Sequence, residues 1–158
     1  SRADIYNAEL ADVLTNLVGK YGLASSRLHL EITESAYTED PNQIIETVGH
    51  LRELGFILEM DDFGSGYSSF NTLKDMDVDV LKIDMGFLRT TRPERIERSM
   101  SIINTIISLT KTLGLSVITE GVETKEMVDF LVQEDCDELQ GYYYSKPIPV
   151  DQFEDTYL

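Results

Sequence analysis

The chain is poor in the groups that most metal, thiol and nucleic-acid chemistries need. A single cysteine, Cys136, among 158 residues excludes an internal disulfide framework and any multi-thiolate zinc site. Two histidines, His29 and His50, leave little room for a histidine-rich metal centre. Basic residues are scarce, with 13 Lys plus Arg against 29 Asp plus Glu and a net charge of −16. Nucleic-acid backbones and anionic membrane surfaces are bound through basic faces that displace counterions, so no DNA or RNA partner is expected. No apolar run approaches the ~18 residues of a membrane span and no basic leader opens the chain, so no direct membrane insertion and a cytoplasmic setting are expected.

What is there suits one packed domain, since 42% of the residues are hydrophobic. Helical and extended signals alternate. Leu10, Val13, Leu14, Leu17, Val18 and Tyr21 recur at helical spacing, with Gly22 placed to end the helix. Leu28, Leu30 and Ile32 alternate with polar residues as a strand does. Asp40-Pro41 is a cap and first-turn pair; Ile44, Val48, Leu51 and Leu54 follow, and Gly55 stops the run. Residues 56–63 are extended, Ser68 is placed to cap a short helix, and 78–84 (VDVLKID) is a strand. Pro93 opens a long helix closed by Gly114; 115–122 is extended, Thr124 caps another helix, and 137–144 is the last strand. Strand followed by helix, repeated along the chain, calls for a parallel sheet in an α/β fold.

The polar residues within the strands carry the chemistry. Glu31, Asp61 with Asp62, Lys82 with Asp84, Glu120 and Gln140 mark the ends of successive strands. Alternation puts His29, Glu31 and Thr33 on one face, as it does Glu59 with Asp61, Lys82 with Asp84, and Ser116 with Glu120. In a (β/α)8 barrel one face of every strand points to the axis, and catalytic groups gather at the C-terminal ends. Acids converging there need compensation, and an all-oxygen set without thiolates points to Mg²⁺ or Mn²⁺. Acids at strand ends also serve as solvated loop residues or helix caps, but two adjacent carboxylates before Phe63-Gly64-Ser65-Gly66 imply a tight backbone beside a site. Lys82 has two compatible readings, a functional one and a salt bridge to Asp84. His29 is expected as a satisfied interior or helix-facing histidine, His50 as a surface residue and Cys136 as a small buried one. Arg89, Arg92, Arg95 and Arg98 are interleaved with Glu94 and Glu97, which suits a solvated helix start.

Five segments together spell a family. LEITES at 30–35, DDFGSGYSS at 61–69, KID at 82–84, EGVE at 120–123 and QGYYYSKPIP at 140–149 closely resemble the EAL-domain family, in its order and across essentially the whole chain. The resemblance implies a modified (β/α)8 barrel and hydrolysis of cyclic di-GMP to linear pGpG with Mg²⁺ or Mn²⁺. By position, Glu31 resembles a metal ligand, Asp61 the carboxylate shared between two metals, and Asp62 a ligand of the second. Lys82 matches the lysine that contacts the hydrolytic water or scissile phosphate, and Glu120 a general base or water-positioning group. Glu123 and Gln140 match further active-site positions, and Glu34 the glutamate that steadies the loop after the paired aspartates, about residues 63–71.

The pattern has departures. The Glu-Ala-Leu signature and the asparagine-bearing strand that follows it are expected upstream of Ser1-Arg2, and two metal ligands with them. Residues 1–158 are therefore expected to be part of an EAL domain, an incomplete (β/α)8 barrel of roughly the last five βα units. Such a piece is expected to self-associate and to be inactive alone, with a GGDEF or sensor domain upstream in the parent protein. Ser65, Glu59 and Met85-Gly86 depart from the common residues without removing a matched ligand. Two functions follow: a metal-dependent cyclic di-GMP phosphodiesterase, or a non-catalytic module that binds cyclic di-GMP or a protein partner.

Overall fold

The computed structural model describes residues 9–37, 40–64, 69–88 and 93–158, without the side chains of residues 34, 35, 69, 87, 88 and 93–95. Ser1, Arg2, Ser65, Ser68, Arg89, Arg92, and the side chains of Glu34, Glu94 and Arg95, lie outside the described residues. Helix α1 is Leu10–Lys20, strand β1 His29–Thr33, α2 Glu34–Tyr37, α3 Pro41–Glu53 and β2 Ile57–Asp61. Helix α4, Ser69–Asp75, leads to β3, Val80–Asp84, then α5, Pro93–Leu113, and β4, Ser116–Glu120. Helix α6, Lys125–Gln133, β5, Glu138–Leu139, and α7, Val150–Tyr157, complete the order.

The five strands form one sheet in the order β1-β2-β3-β4-β5, every pair parallel. A doubly wound sheet reverses its order at a switch point; an order that only advances is that of a barrel wall. Alternation then sorts the side chains. Leu58, Met60, Leu81, Ile83 and Val117 turn to the helical layer and are almost wholly buried with Ile44, Val48, Ile103, Ile107 and Leu131. Each such side chain contributes about 1.5–3 kcal/mol relative to exposure. The other face carries His29, Glu31, Glu59, Asp61, Lys82 and Glu120 toward the axis.

Local chemistry sets the helix ends. Asp40 caps α3 by accepting the Gln43 N–H at 3.2 Å, with Pro41 in the first turn, and Thr124 caps α6 by accepting the Met127 N–H at 3.3 Å. Gly55 and Gly114 leave α3 and α5 in the left-handed conformation, at φ 85° and 72°.

The lower rim of the sheet is stitched by two acids placed just before strands. Asp79, ahead of β3, accepts the Leu58 N–H with one oxygen and the Arg52 Nε–H with the other, both at 3.0 Å. Asp137, ahead of β5, accepts the Val117 N–H at 2.8 Å. Each ties its strand to the start of the preceding one.

Three expectations change. The last strand is only Glu138–Leu139, because the chain turns away after Gln140 and residues 142–144 form a turn. On α1, Val18 is buried and Leu10 and Leu14 pack against the core, whereas Val13, Leu17 and, just past the helix, Tyr21 are exposed. The short α2 and the C-terminal α7 form without an expected signal; α7 has no buried residue.

Candidate active site

Lys82 organises the upper end of the sheet. It lies on β3, pointing to the axis, and its side chain is almost wholly buried. Its ammonium donates to Glu31 of β1 and, at 2.6 Å, to Glu120 of β4. Asp61 of β2 is 3.9 Å away and Glu59 of the same strand 4.0 Å. One cation thus gathers carboxylates from three strands. Burial alone would pull the ammonium down, but the hydrogen bonds to Glu120 and Glu31 and the Asp61 charge outweigh it and hold the group above its ordinary value.

The Lys82 salt bridge expected with Asp84 is replaced by these pairs. Asp84 instead accepts the Gly86 N–H at 2.7 Å. The paired aspartates occupy a tight turn: Asp62 has φ 58°, its N–H donates to Asp61 Oδ1 at 2.9 Å, and the Phe63 N–H donates to the Lys82 carbonyl at 3.3 Å. Burial and the charges of Asp61 and Asp84 push the Asp62 carboxyl up, against the pull of Lys82. Past residues 65–68, Phe70 of α4 meets the ring of the buried Phe63 edge-on at 5.9 Å.

Glu123 and Gln140 are exposed at the ends of β4 and β5. The Gln140 backbone bridges the strands: its N–H donates to Thr119 at 2.8 Å and its carbonyl accepts from Val122 at 3.1 Å. Beyond it, a cavity of about 390 Å³ is lined by Gly141, Tyr142, Lys146, Pro147, Phe153 and Tyr157, among others. His50 is exposed, Arg98 is exposed on α5, and Cys136 is half-buried beside Thr119, its thiol pushed up by burial.

One member of the constellation lies outside the five motifs. Glu59 is a buried acid on the inner face, and His29 pairs with it through Nδ1 at 2.6 Å. The signal was its place two residues before Asp61.

The donor chemistry of Glu31, Asp61 and Asp62 suits a hard divalent cation, all oxygen and no thiolate. Among the described residues, however, no three His, Cys, Asp or Glu side chains are grouped to hold a metal ion. The acids are gathered on the Lys82 ammonium instead, so a cation and Lys82 would share Glu31 and Asp61.

The sequence matches the family described as EAL domain over residues 1–147. The chain belongs to the EAL-domain family. It is 37% identical over 153 residues to the cyclic di-GMP phosphodiesterase NbdA of Pseudomonas aeruginosa, covering 97% of this chain and 19% of that protein. It is 35% identical over 146 residues to the bifunctional diguanylate cyclase/cyclic di-GMP phosphodiesterase MucR of the same organism, covering 92% of this chain and 21% of that protein. This EAL chain thus spans about a fifth of the length of these curated relatives. The solved PaMucR phosphodiesterase in complex with c-di-GMP superimposes with a TM-score of 0.86 at 34% identity, covering 97% of this chain and 61% of that one. Among the described residues, the five EAL motifs fall at the upper ends of β1 to β5. Among the described residues no helix is long and apolar enough to cross a membrane.

Proposed function

We propose that this EAL chain carries one wall of a divalent-cation-dependent cyclic di-GMP phosphodiesterase that opens the ring to linear pGpG. The observation that carries the reading is the buried Lys82 ammonium between Glu31 and Glu120, beside Asp61, at the C-terminal ends of parallel strands. Glu31, Asp61 and Asp62 would hold Mg²⁺ or Mn²⁺. A bound divalent cation supplies polarisation of the phosphodiester and a more acidic water.

The remaining roles belong to the chain's own groups. Lys82 donates to a phosphoryl oxygen or to the attacking water, and its burial makes that contact stronger than in solvent. Glu120, within hydrogen-bond reach of Lys82, orients water and accepts its proton. Gln140 and Glu123 flank the ligand, and the aromatic cavity beyond Gln140 offers Tyr142 and Phe153 as faces for a purine ring. A parent protein with a GGDEF or sensor domain fits the relative MucR, named as bifunctional.

The five strands leave β1 and β5 as open edges among the described residues, where a closed barrel needs eight strands. These 158 residues alone are therefore expected to turn over cyclic di-GMP slowly, and the complete domain briskly. Chromatography of the products with Mn²⁺ tests both statements. Conversion by the complete domain that survives Glu120→Gln and Asp61→Asn overturns the assignment of roles.

A receptor module that binds cyclic di-GMP without cleaving it is favoured by the engagement of Glu31 with the Lys82 ammonium and by the nearness of Asp61 to it, which leave fewer free oxygens for a cation. A complete domain that binds the dinucleotide and yields no pGpG selects that reading.

A further inference from the structure

Four carboxylates surround the Lys82 ammonium, and they differ in access. The side chains of Glu31, Glu120 and Asp61 are 54%, 27% and 22% exposed, open toward the upper rim where a solute arrives. That of Glu59 is 6% exposed, and its Oε1 is occupied by the Nδ1 of His29 at 2.6 Å. Glu59 pairs in register with Glu31 across β1 and β2 and with Val80 across β2 and β3. With a strand period of two, it lies one layer below Lys82. Of the four acids around Lys82, Glu59 is thus the one least open to an incoming ligand.

We infer that Glu59 is a positioning residue for Lys82, held by His29, which keeps the ammonium on the axis when the exposed acids turn to a ligand. An ammonium has three protons. Two go to Glu31 and Glu120; Glu59 Oε2, at 4.0 Å, stands ready to accept when either is withdrawn. The His29 contact keeps that oxygen aimed: with Oε1 engaged by the ring, Oε2 faces Lys82. A buried carboxylate without such a pair of partners would be costly. The inference rests on the phosphodiesterase reading only for its purpose, which is that Lys82 stays placed while Glu31 and Asp61 engage a cation.

The test reads the Lys82 ammonium directly, by proton–nitrogen correlation in the 158-residue chain. An ammonium held in hydrogen bonds exchanges slowly with water and gives a signal; a released one does not. Glu31→Ala removes the exposed acceptor and so mimics its withdrawal. The signal is expected to persist in the native chain and in Glu31→Ala. In Glu31→Ala/Glu59→Gln, which keeps size and, with the amide oxygen on His29, turns an NH2 group toward Lys82, exchange is expected to be about tenfold faster or the signal lost. Glu31→Ala/His29→Ala alters only a half-exposed residue besides Glu31, so it guards against misfolding, and it should show the same direction. An unchanged exchange rate in both double variants, or loss of the signal in Glu31→Ala alone, overturns the inference. Mg²⁺ added to the native chain forms a separate arm. Shifts at Glu31 and Asp61 with the Lys82 signal retained support the inference, and loss of that signal overturns it. No shift at any Mg²⁺ concentration counts against the cation reading, while the double variants still decide the role of Glu59.

Discussion

Gly141 passes against the backbone of Val122 with no space for a side chain. A Cβ built on Gly141 would lie 2.1 Å from the Val122 carbonyl oxygen and 2.4 Å from its amide nitrogen. Both Val122 groups are in use, the N–H on Gln140 and the carbonyl on Tyr143. Backbone cannot retreat as a flexible side chain can, so the segment carrying Gln140 would have to leave β4. Gly141→Ala is expected to lower unfolding stability by about 2–4 kcal/mol. Chemical denaturation checks it; a loss under about 0.5 kcal/mol, the range of neutral surface changes, would contradict the packing described.

The ion pairs of Lys82 predict an alkaline limit. Its folded value is raised above the ordinary lysine value of about 10.4, so the stabilisation is complete below that pH and is lost as pH rises through the folded value. Lys82→Met, which takes the ammonium from Glu31 and Glu120 and leaves Glu59 to His29 alone, is expected to cost about 1–3 kcal/mol at neutral pH. Urea midpoints of both proteins from pH 7 upward should keep a constant gap to about pH 10 and then converge. A gap that never narrows would show that the charge of Lys82 is not what stabilises.

For Asp62 the sign is opposite. Burial and the charges of Asp61 and Asp84 raise its carboxyl, so the ionised form is a burden at neutral pH that eases as pH falls through the folded value. Asn tolerates the left-handed backbone that Asp62 adopts. Asp62→Asn should therefore raise the melting temperature by about 1–3 °C in the absence of divalent cations. The advantage should vanish in acid. The same change and Asp61→Asn should each weaken Mn²⁺ binding about tenfold or more in calorimetry. A melting temperature that falls would contradict the repulsion argument, and unchanged Mn²⁺ affinity would remove these two residues from the cation site.

Among the described residues β1 and β5 end the sheet, and exposed Val13 and Leu17 on α1, Tyr21 just after it, and Phe153 and Tyr157 on α7 offer uncovered apolar surface. Unpaired edges and apolar flanks drive strand pairing between copies. Light scattering is expected to show dimers or larger species at ~100 μM. A clean monomer at that concentration would show the edges to be protected in solution.

The sequence announces what repeats and hides what is local. Alternation within LEITE, ILEMDD and VLKID places Leu58, Met60, Leu81 and Ile83 in the core and Glu31, Asp61 and Lys82 on the opposite face, as the structure has them. Helix stops at Gly55 and Gly114 are legible because a left-handed exit selects glycine. The length of β5 is not legible: residues 142–144 are β-prone tyrosines, yet their N–H groups turn back, Tyr143 to the Val122 carbonyl and Tyr144 to that of Gly141. Nor is the outer face of α1, where apolar residues on both sides of a helix give no clue to which side is covered. Lys82 illustrates the same divide at the site. Its partner by proximity in sequence is Asp84, but its partners in space are Glu31 and Glu120, 51 and 38 positions away, which follow from the sheet order alone.

The acids at the two rims of the sheet answer to different partners. Asp79 and Asp137 spend their oxygens on backbone N–H groups of Leu58 and Val117 and, for Asp79, on Arg52. The two bonds to backbone N–H groups are part-buried and carry a charge on one side only, whereas the Arg52 contact is exposed and the upper acids are grouped around a single ammonium. Ionic strength should therefore act on the molecule unevenly. Screening acts over about 8–10 Å at physiological salt on the exposed acids of the upper rim and on the exposed Arg52–Asp79 pair, and leaves the backbone bonds of Asp79 and Asp137 almost untouched. The chain then behaves as a stiff base carrying a salt-tunable crown, and the large negative charge is two populations rather than one.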